Sequence, residues 1–551
     1  MKKKVWSLLL IAALAVGLLL TGCAKDNGSG GNAPAGSSGG DAAVAAGEGE
    51  EVELLVIVGG EPRSLDPAYN YETASFHVVN SISDSLLAFD EAGALKPSIA
   101  DRWEAVDPTT YVYHIREGAK FSDGSDLTIE DVIYSLERIR DPELAADTQW
   151  MYASVASIEQ TGDREVTVKL SQPDANWQYV PATSGGQIVS KAYVEEKGDS
   201  FGKNDGGTLG TGPYKLESWT AGSQIALTRN EFYWGDKPDI DRVVVNFASD
   251  ANAVQLALET GQAEFAITNA KTTLESFENS DTINVINKPS IGNSVVSFNT
   301  QKAPFDDVNV RRAIASAIDS AGITQSQLGS YGSVPGDLPF GEAGYTLGSR
   351  DSWVSFNAGL PDYSYDLDKA KEYLAQSAYP DGFATTIYFK PNDIPRAAAQ
   401  VIQAALKELN IDLTLNEVQL SDYYAYAYGG QITDGIRDYD IGINDWQPDF
   451  PDPIGHLTPQ YWSQNAGPGG SNYAAYSNPE VDALIEAQNN TTDPNERAKL
   501  IQEAFALAAD DAPYKYLYYM NNSLLLNKKY EYELSPMWIF GLNYKDVKVV
   551  G

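Results

Sequence analysis

The side chains that most often carry nucleophilic or metal chemistry are nearly absent from this chain. Its 551 residues include one cysteine, Cys23, and three histidines, His77, His114 and His456. The histidines show neither HxH nor HExxH spacing, so a histidine-built zinc site is not encoded. There is no Gly-x-Ser-x-Gly elbow. Gly207-Thr208-Leu209-Gly210-Thr211-Gly212 is glycine-rich but lacks the Gly-Lys-Ser/Thr that would cradle a phosphate. Carboxylates are plentiful, yet no pair is set apart by spacing. These residues predict a protein that is not an enzyme and needs no cofactor or metal. One stretch does concentrate polar chemistry: Trp446-Gln447-Pro448-Asp449-Phe450-Pro451-Asp452-Pro453. Its Pro/Asp alternation is turn chemistry, and a surface turn is one reading. A carboxylate beside an aromatic, held to bind something, is the other. Asp440, Asp445 and Asp452 add acid nearby, but without the Asp-x-Asp-x-Asp-Gly pattern of a calcium loop.

Cys23 stands in a particular context. Lys2, Lys3 and Lys4 precede the apolar run Val5–Leu20, and small residues follow. This is the pattern of an export signal, and the run is short for a span that needs ~20 apolar residues. Leu20-Thr21-Gly22-Cys23 resembles the bacterial lipobox, which implies cleavage before Cys23 and a lipid on its sulfur. A lone cysteine excludes internal disulfides. Residues 1–22 then form a lipoprotein signal peptide. Residues 23–50, rich in Gly, Ala, Ser and acid, form a flexible tether. The expected location is the outer face of the cytoplasmic membrane, lipid-anchored.

The formal net charge is −37, from 76 acidic and 39 basic residues spread along the chain. That sign opposes nucleic-acid binding, which rests on neutralising phosphates, and suits solubility. Beyond the tether about 500 residues remain, more than one core holds, so at least two domains are expected. Ordered structure should begin at the strand-like run Val52–Val58. Tyr111–Ile115 and Val166–Leu170 alternate like strands. Thr128 caps a helix that runs through Val132, Leu136 and Ile139, with acids in its first turn. Helices are also predicted over 306–319 and 397–410, the latter followed by a strand over 411–415. Mixed helices and strands make the class α/β. The 32 tyrosines and 10 tryptophans suit sheets and ligand clefts alike.

Several segments match one family in the family's own order. They begin with Gly60-Glu61-Pro62-Arg63-Ser64-Leu65-Asp66-Pro67 and Leu95-Lys96-Pro97-Ser98-Ile99-Ala100. Glu117-Gly118-Ala119-Lys120-Phe121-Ser122-Asp123-Gly124 and Gly210-Thr211-Gly212-Pro213-Tyr214 follow. Phe298-Asn299-Thr300 and Pro304-Phe305-Asp306-Asp307-Val308 come next, and Tyr476-Ser477-Asn478-Pro479 closes the set. The ordered set, over about residues 52–530, resembles the dipeptide/oligopeptide/nickel-binding solute receptors of bacterial ABC importers. The resemblance implies a two-lobed periplasmic-binding-protein-like fold of type II with an extra subdomain in lobe I. Lobe I would comprise 51–83, 209–300 and 510–551, the subdomain 84–208, and lobe II 301–509.

The resemblance also implies a site. A peptide in a closed cleft needs a carboxylate for its ammonium and a cation for its carboxylate, because unpaired buried charge costs several kcal/mol. Peptide-binding relatives carry Trp-x-x-Asp before an acid/proline turn, which makes Asp449 the ammonium partner and places Trp446 beside it. Relatives that take dipeptides carry an arginine just before a lobe II helix, and Lys390 stands near that position, with Arg396 as the alternative. Some oligopeptide binders place an arginine three residues before the tryptophan, where this chain has Ile443. The implied partners are short peptides and the permease subunits of an ABC importer, with a monomeric receptor and no nucleic acid. The same fold holding an oligosaccharide, opine or metal chelate stays open.

Overall fold

The computed structural model describes residues 51–428, 432–433, 436–535 and 537–550. Cys23, the signal peptide and the tether lie outside the described residues. The apolar run Val52–Val58 forms β1 (Glu53–Val58). The chain then builds a separate antiparallel sheet from β2 (Ala100–Asp107), β3 (Thr110–Ile115), β4 (Val155–Gly162) and β5 (Glu165–Leu170). Its strand order is β2-β3-β5-β4. Helix α1 (Ile129–Arg140) starts at Thr128 with a reciprocal cap: the Thr128 hydroxyl accepts from the Asp131 N–H, and the Asp131 carboxylate accepts from the Thr128 N–H. Val132, Leu136 and Ile139 fall on its buried face. Trp177 fills the core behind this sheet, its indole N–H 3.1 Å from the Tyr113 hydroxyl.

Four further strands return to β1: β6 (Tyr214–Thr220), β7 (Gln224–Arg229), β8 (Arg242–Phe247) and β9 (Phe265–Ile267). The chain then enters the 16-residue strand β10 (Ile283–Phe298). Helix α2 (Val308–Ala317), capped by Asp307, and the short β11 (Gly332–Ser333) follow. Next come β12 (Ala384–Phe389), α3 (Asp393–Lys407), β13 (Asp412–Glu417), α4 (Leu420–Ala427) and β14 (Ile441–Trp446). Helices α5 (Ile454–Tyr461) and α6 (Pro494–Asp511) lead to the 14-residue β15 (Tyr514–Asn527). Helix α3 starts four residues before the predicted 397, because the Asn392 side chain accepts from the Ile394 N–H. Pro395 is tolerated there, since first-turn N–H groups have no intrahelical partner.

The large sheet runs β13-β12-β14-β10-β15-β9-β1-β8-β7-β6, with β11 beside β15. The fold is two-lobed, with β1 and β6–β9 toward the first lobe, β12–β14 toward the second, and the long β10 and β15 running between them. They pair from Ile283↔Asn527 to Pro289↔Asn521, lose register, and resume at Asn293↔Tyr519. At the break Ser290–Gly292 lie opposite Met520 alone, a bulge-like irregularity of the kind that bends a strand. Buried His456 reaches it from α5, its Nε2 2.9 Å from the Ile291 carbonyl. Burial pushes that imidazole down to about 4, so it is neutral at ordinary pH. No helix among the described residues is long and apolar enough to cross a membrane.

Candidate functional site

The Trp/Pro/Asp segment leaves the end of β14 as a loop, Gln447–Pro453, immediately beside the bulge. Trp446 pairs with Asn293 across the sheet. A Cβ on Gly292 would lie 2.2 Å from Gln447 Oε1 and 3.1 Å from the Trp446 carbonyl. The loop closes on itself through the Trp446 indole, which donates to the Gly455 carbonyl at 3.0 Å. The ring also meets Tyr473 edge-on, centroids 6.3 Å apart. Trp446 is half-buried and braces the loop.

The loop belongs to the second lobe but packs on the first. Phe450, 3% exposed, is a member of the apolar core of the four-stranded sheet. It stacks on Tyr179 at 5.9 Å and meets Trp150 edge-on at 6.4 Å. Asp452 is fully buried; it faces Arg497 at 3.1 Å from its own lobe and accepts from the Tyr179 hydroxyl at 3.2 Å from the other. Arg497 donates further to Gln488. A buried charge pair satisfied on both sides in this way is costly to break.

Asp449 lies between Phe450 and Pro448 and stays partly exposed. Its Oδ1 accepts a hydrogen bond from the Tyr71 hydroxyl of the first lobe. Burial pushes the carboxyl up to about 6, and the Tyr71 bond only partly offsets that. Burial and the adjacent carboxylate together raise the Tyr71 phenol well above its ordinary value. Among the described residues no lysine or arginine pairs with Asp449. It is a carboxylate held at the junction of the lobes by one neutral donor.

Lys390 follows β12 and pairs with Asp445 on the neighbouring strand β14. Burial alone would depress the ammonium, but the Asp445 carboxylate outweighs it and holds Lys390 above its ordinary value. Tyrosines surround the pair. A chain of ring contacts with centroids 5.2–6.3 Å apart runs from Tyr426 through Tyr388, Tyr423, Tyr424, Tyr428 and Tyr473 to Trp446. Asp449, Trp446 and Lys390 therefore gather at the ends of β12 and β14. Arg396 does not join them: it sits on α3 in an exposed cluster with Asp393 and Glu417. Ile443 is buried within β14. Among the described residues no group of three or more His, Cys, Asp or Glu is arranged to hold a metal ion.

Tyr71, Tyr179 and Phe450 were not singled out by the sequence. Tyr71 and Asp449 are 378 residues apart, and no local period marks either as a neighbour of the other. The abundance of tyrosine was the only signal. Asp445 was visible as nearby acid, but its claim on Lys390 depends on β12 and β14 being adjacent and parallel.

Comparison with known proteins agrees with this architecture. Residues 94–468 match the model of the bacterial extracellular solute-binding proteins, family 5. The chain is 29% identical over 507 residues to the probable D,D-dipeptide-binding periplasmic protein DdpA of Escherichia coli K12, covering 89% of this chain and 94% of that one. It is 27% identical to the glutathione-binding protein GsiB of Salmonella typhi, covering 84% and 88%. Among solved structures, the periplasmic binding protein DppA of Helicobacter pylori, in complex with the peptide STSA, superposes with a TM-score of 0.76 at 26% identity, covering 90% of this chain and 98% of that one. The oligopeptide-binding protein AppA of Bacillus subtilis, with a nonapeptide, shares the fold at a TM-score of 0.73 and 23% identity, covering 91% and 100%. A two-lobed α/β body with its loops converging at the lobe junction, matched over most of its length, places the chain in the bacterial extracellular solute-binding proteins of family 5.

Proposed function

We propose that this protein is a receptor that captures short peptides between its lobes and hands them to the permease of an ABC importer. The observation that carries the reading is Asp449: a partly buried carboxylate at the lobe junction, bonded among the described residues only by Tyr71, is poised to take an ammonium. A charge-assisted bond to an ammonium is stronger than one to a phenol, so an amine-bearing solute would win Asp449. The names of DdpA, GsiB and the STSA complex favour peptides and peptide-like amines as the solute. In this reading lobe I is 51–83, 209–300 and 510–551, its extra subdomain 84–208 and lobe II 301–509. Closure is a hinge motion at the bulge of β10, drawn toward the state that binds tighter. Capture, not turnover, is the activity. Cys23 carries a lipid that holds the receptor at the outer face of the cytoplasmic membrane.

The tyrosine wall around Trp446 favours a second reading, a neutral ring-bearing solute such as an oligosaccharide, stacked rather than ion-paired. Mass spectrometry of solutes released by denaturing the purified protein decides between them. Short peptides or other primary amines support the first reading. A carbohydrate without an amine overturns it.

A further inference from the structure

The charges around the lobe junction are unequal. Asp449 and Asp445 contribute two negative charges, and Lys390 contributes one positive. Arg497 and Asp452 cancel each other. Arg396 is committed to Asp393 and Glu417. The Arg437 guanidinium is used on the carbonyls of Ala427, Asn465, Ala466, Gly467 and Gly470. Arg497 and Arg437 are committed within the fold and Arg396 lies outside the site, and Lys390, the cation that gathers with Asp449, already has Asp445 as its partner.

We propose that Asp445 is a specificity residue: by occupying Lys390 it turns the cleft against a ligand's free carboxylate. The favoured solute brings an ammonium to Asp449 and a neutral group, such as an amide, toward Lys390. This deepens the proposed function and rests on its amine at Asp449.

Two features make Asp445 a fixed occupant. Its backbone is held in the sheet opposite Ser294 of β10. The Tyr473 hydroxyl donates to its carbonyl at 3.3 Å. The two side chains are also closed in to a similar degree, Lys390 being 30% and Asp445 25% exposed. A carboxylate approaching Lys390 must either lie beside Asp445, where like charges repel, or displace it. Displacement leaves Asp445 facing tyrosine rings without its counter-ion, and an uncompensated charge in such surroundings is what folded proteins avoid. An amide meets neither cost. It can donate to Asp445 and leave the ion pair intact.

The test uses the full chain, freed of co-purified solute, and calorimetric titration with trialanine and trialanine C-terminal amide. The wild-type protein is expected to bind the amide at least tenfold more tightly than the acid. Asp445→Asn, which keeps the side-chain shape, is expected to bring the acid to within threefold of the amide. Wild-type binding of the acid as tight as the amide, with both weakened in Asp449→Asn, overturns the filter and leaves the amine reading standing. Silence of wild type and Asp445→Asn toward both probes overturns the two together. The wild-type comparison stands alone if the variant does not fold.

Discussion

Tyr71 and Asp449, 378 residues apart in the chain, share a hydrogen bond across the junction of the two lobes. The bond holds a carboxylate whose burial raises it to about 6, and it links the first lobe to the loop that leaves β14. In the proposed reading an incoming ammonium takes over this bond or shares it, so that solute capture and lobe contact use the same atoms.

Binding of an amine should depend on pH through Asp449. In the proposed reading the carboxylate is the binding form, and it is lost as pH falls through about 6. Affinity for a free-amine peptide is expected to drop about tenfold per pH unit below that point, the limit for one proton. Tyr71→Phe removes a bond that favours the charged form, so the midpoint should move upward. Calorimetry between pH 4.5 and 8 measures both, and a flat profile would contradict the assignment.

Stability of the solute-free protein should show the opposite face of the same shift. A carboxyl whose folded value lies above its unfolded value of 3.8 stabilises the fold below pH 4 and loses that contribution as pH rises through about 6. At pH 7 the buried charge is a cost of up to about 3 kcal/mol, since each unit is worth about 1.4 kcal/mol. Asp449→Asn is expected to raise the melting temperature at pH 7 and leave it unchanged at pH 3.5. Asp84, also pushed up to about 6 by burial beside Trp234, should behave likewise in Asp84→Asn.

The Arg497–Asp452 pair is buried on both sides. Arg497→Met leaves a buried carboxylate unpaired and should destabilise the protein by about 3–5 kcal/mol. Tyr179→Phe removes only the hydroxyl from the other lobe and should cost about 1 kcal/mol. Urea unfolding distinguishes them, and equal losses would mean the pair is not the anchor of the loop.

Gly292 couples the bulge to the loop. A Cβ there would press on Gln447 Oε1 at 2.2 Å. Gly292→Ala is expected to move Gln447 and weaken solute binding by roughly threefold to tenfold, with about 1 kcal/mol lost in stability. Titration and thermal melts together check this; a large loss of stability with unchanged affinity would place Gly292 in the frame alone.

Much of the fold was legible locally. Thr128 with Asp131 announces a helix start because caps act within one turn, whereas the helix read over 306–319 is the shorter Val308–Ala317. The run Val52–Val58 is strand-like because Leu54–Val58 are all apolar, and that part is largely buried in mid-sheet. The site was legible only in part. Trp446 and Asp449 share one short motif, so they could be named together. Lys390 could be named, but not its bond to Asp445, since that needs the parallel pairing of β12 with β14. Tyr71 and Tyr179 act through contacts spanning hundreds of residues, and burial of one tyrosine looks like any other in a sequence.

The central claim is that an ammonium seats on Asp449. Its most direct test is calorimetric titration of a free-amine peptide and its N-acetylated counterpart into the wild-type protein and Asp449→Asn. The account predicts that acetylation costs the wild type at least tenfold in affinity and costs the variant nothing, because the charge partner is already gone. Equal binding of the two peptides by the wild-type protein would contradict it.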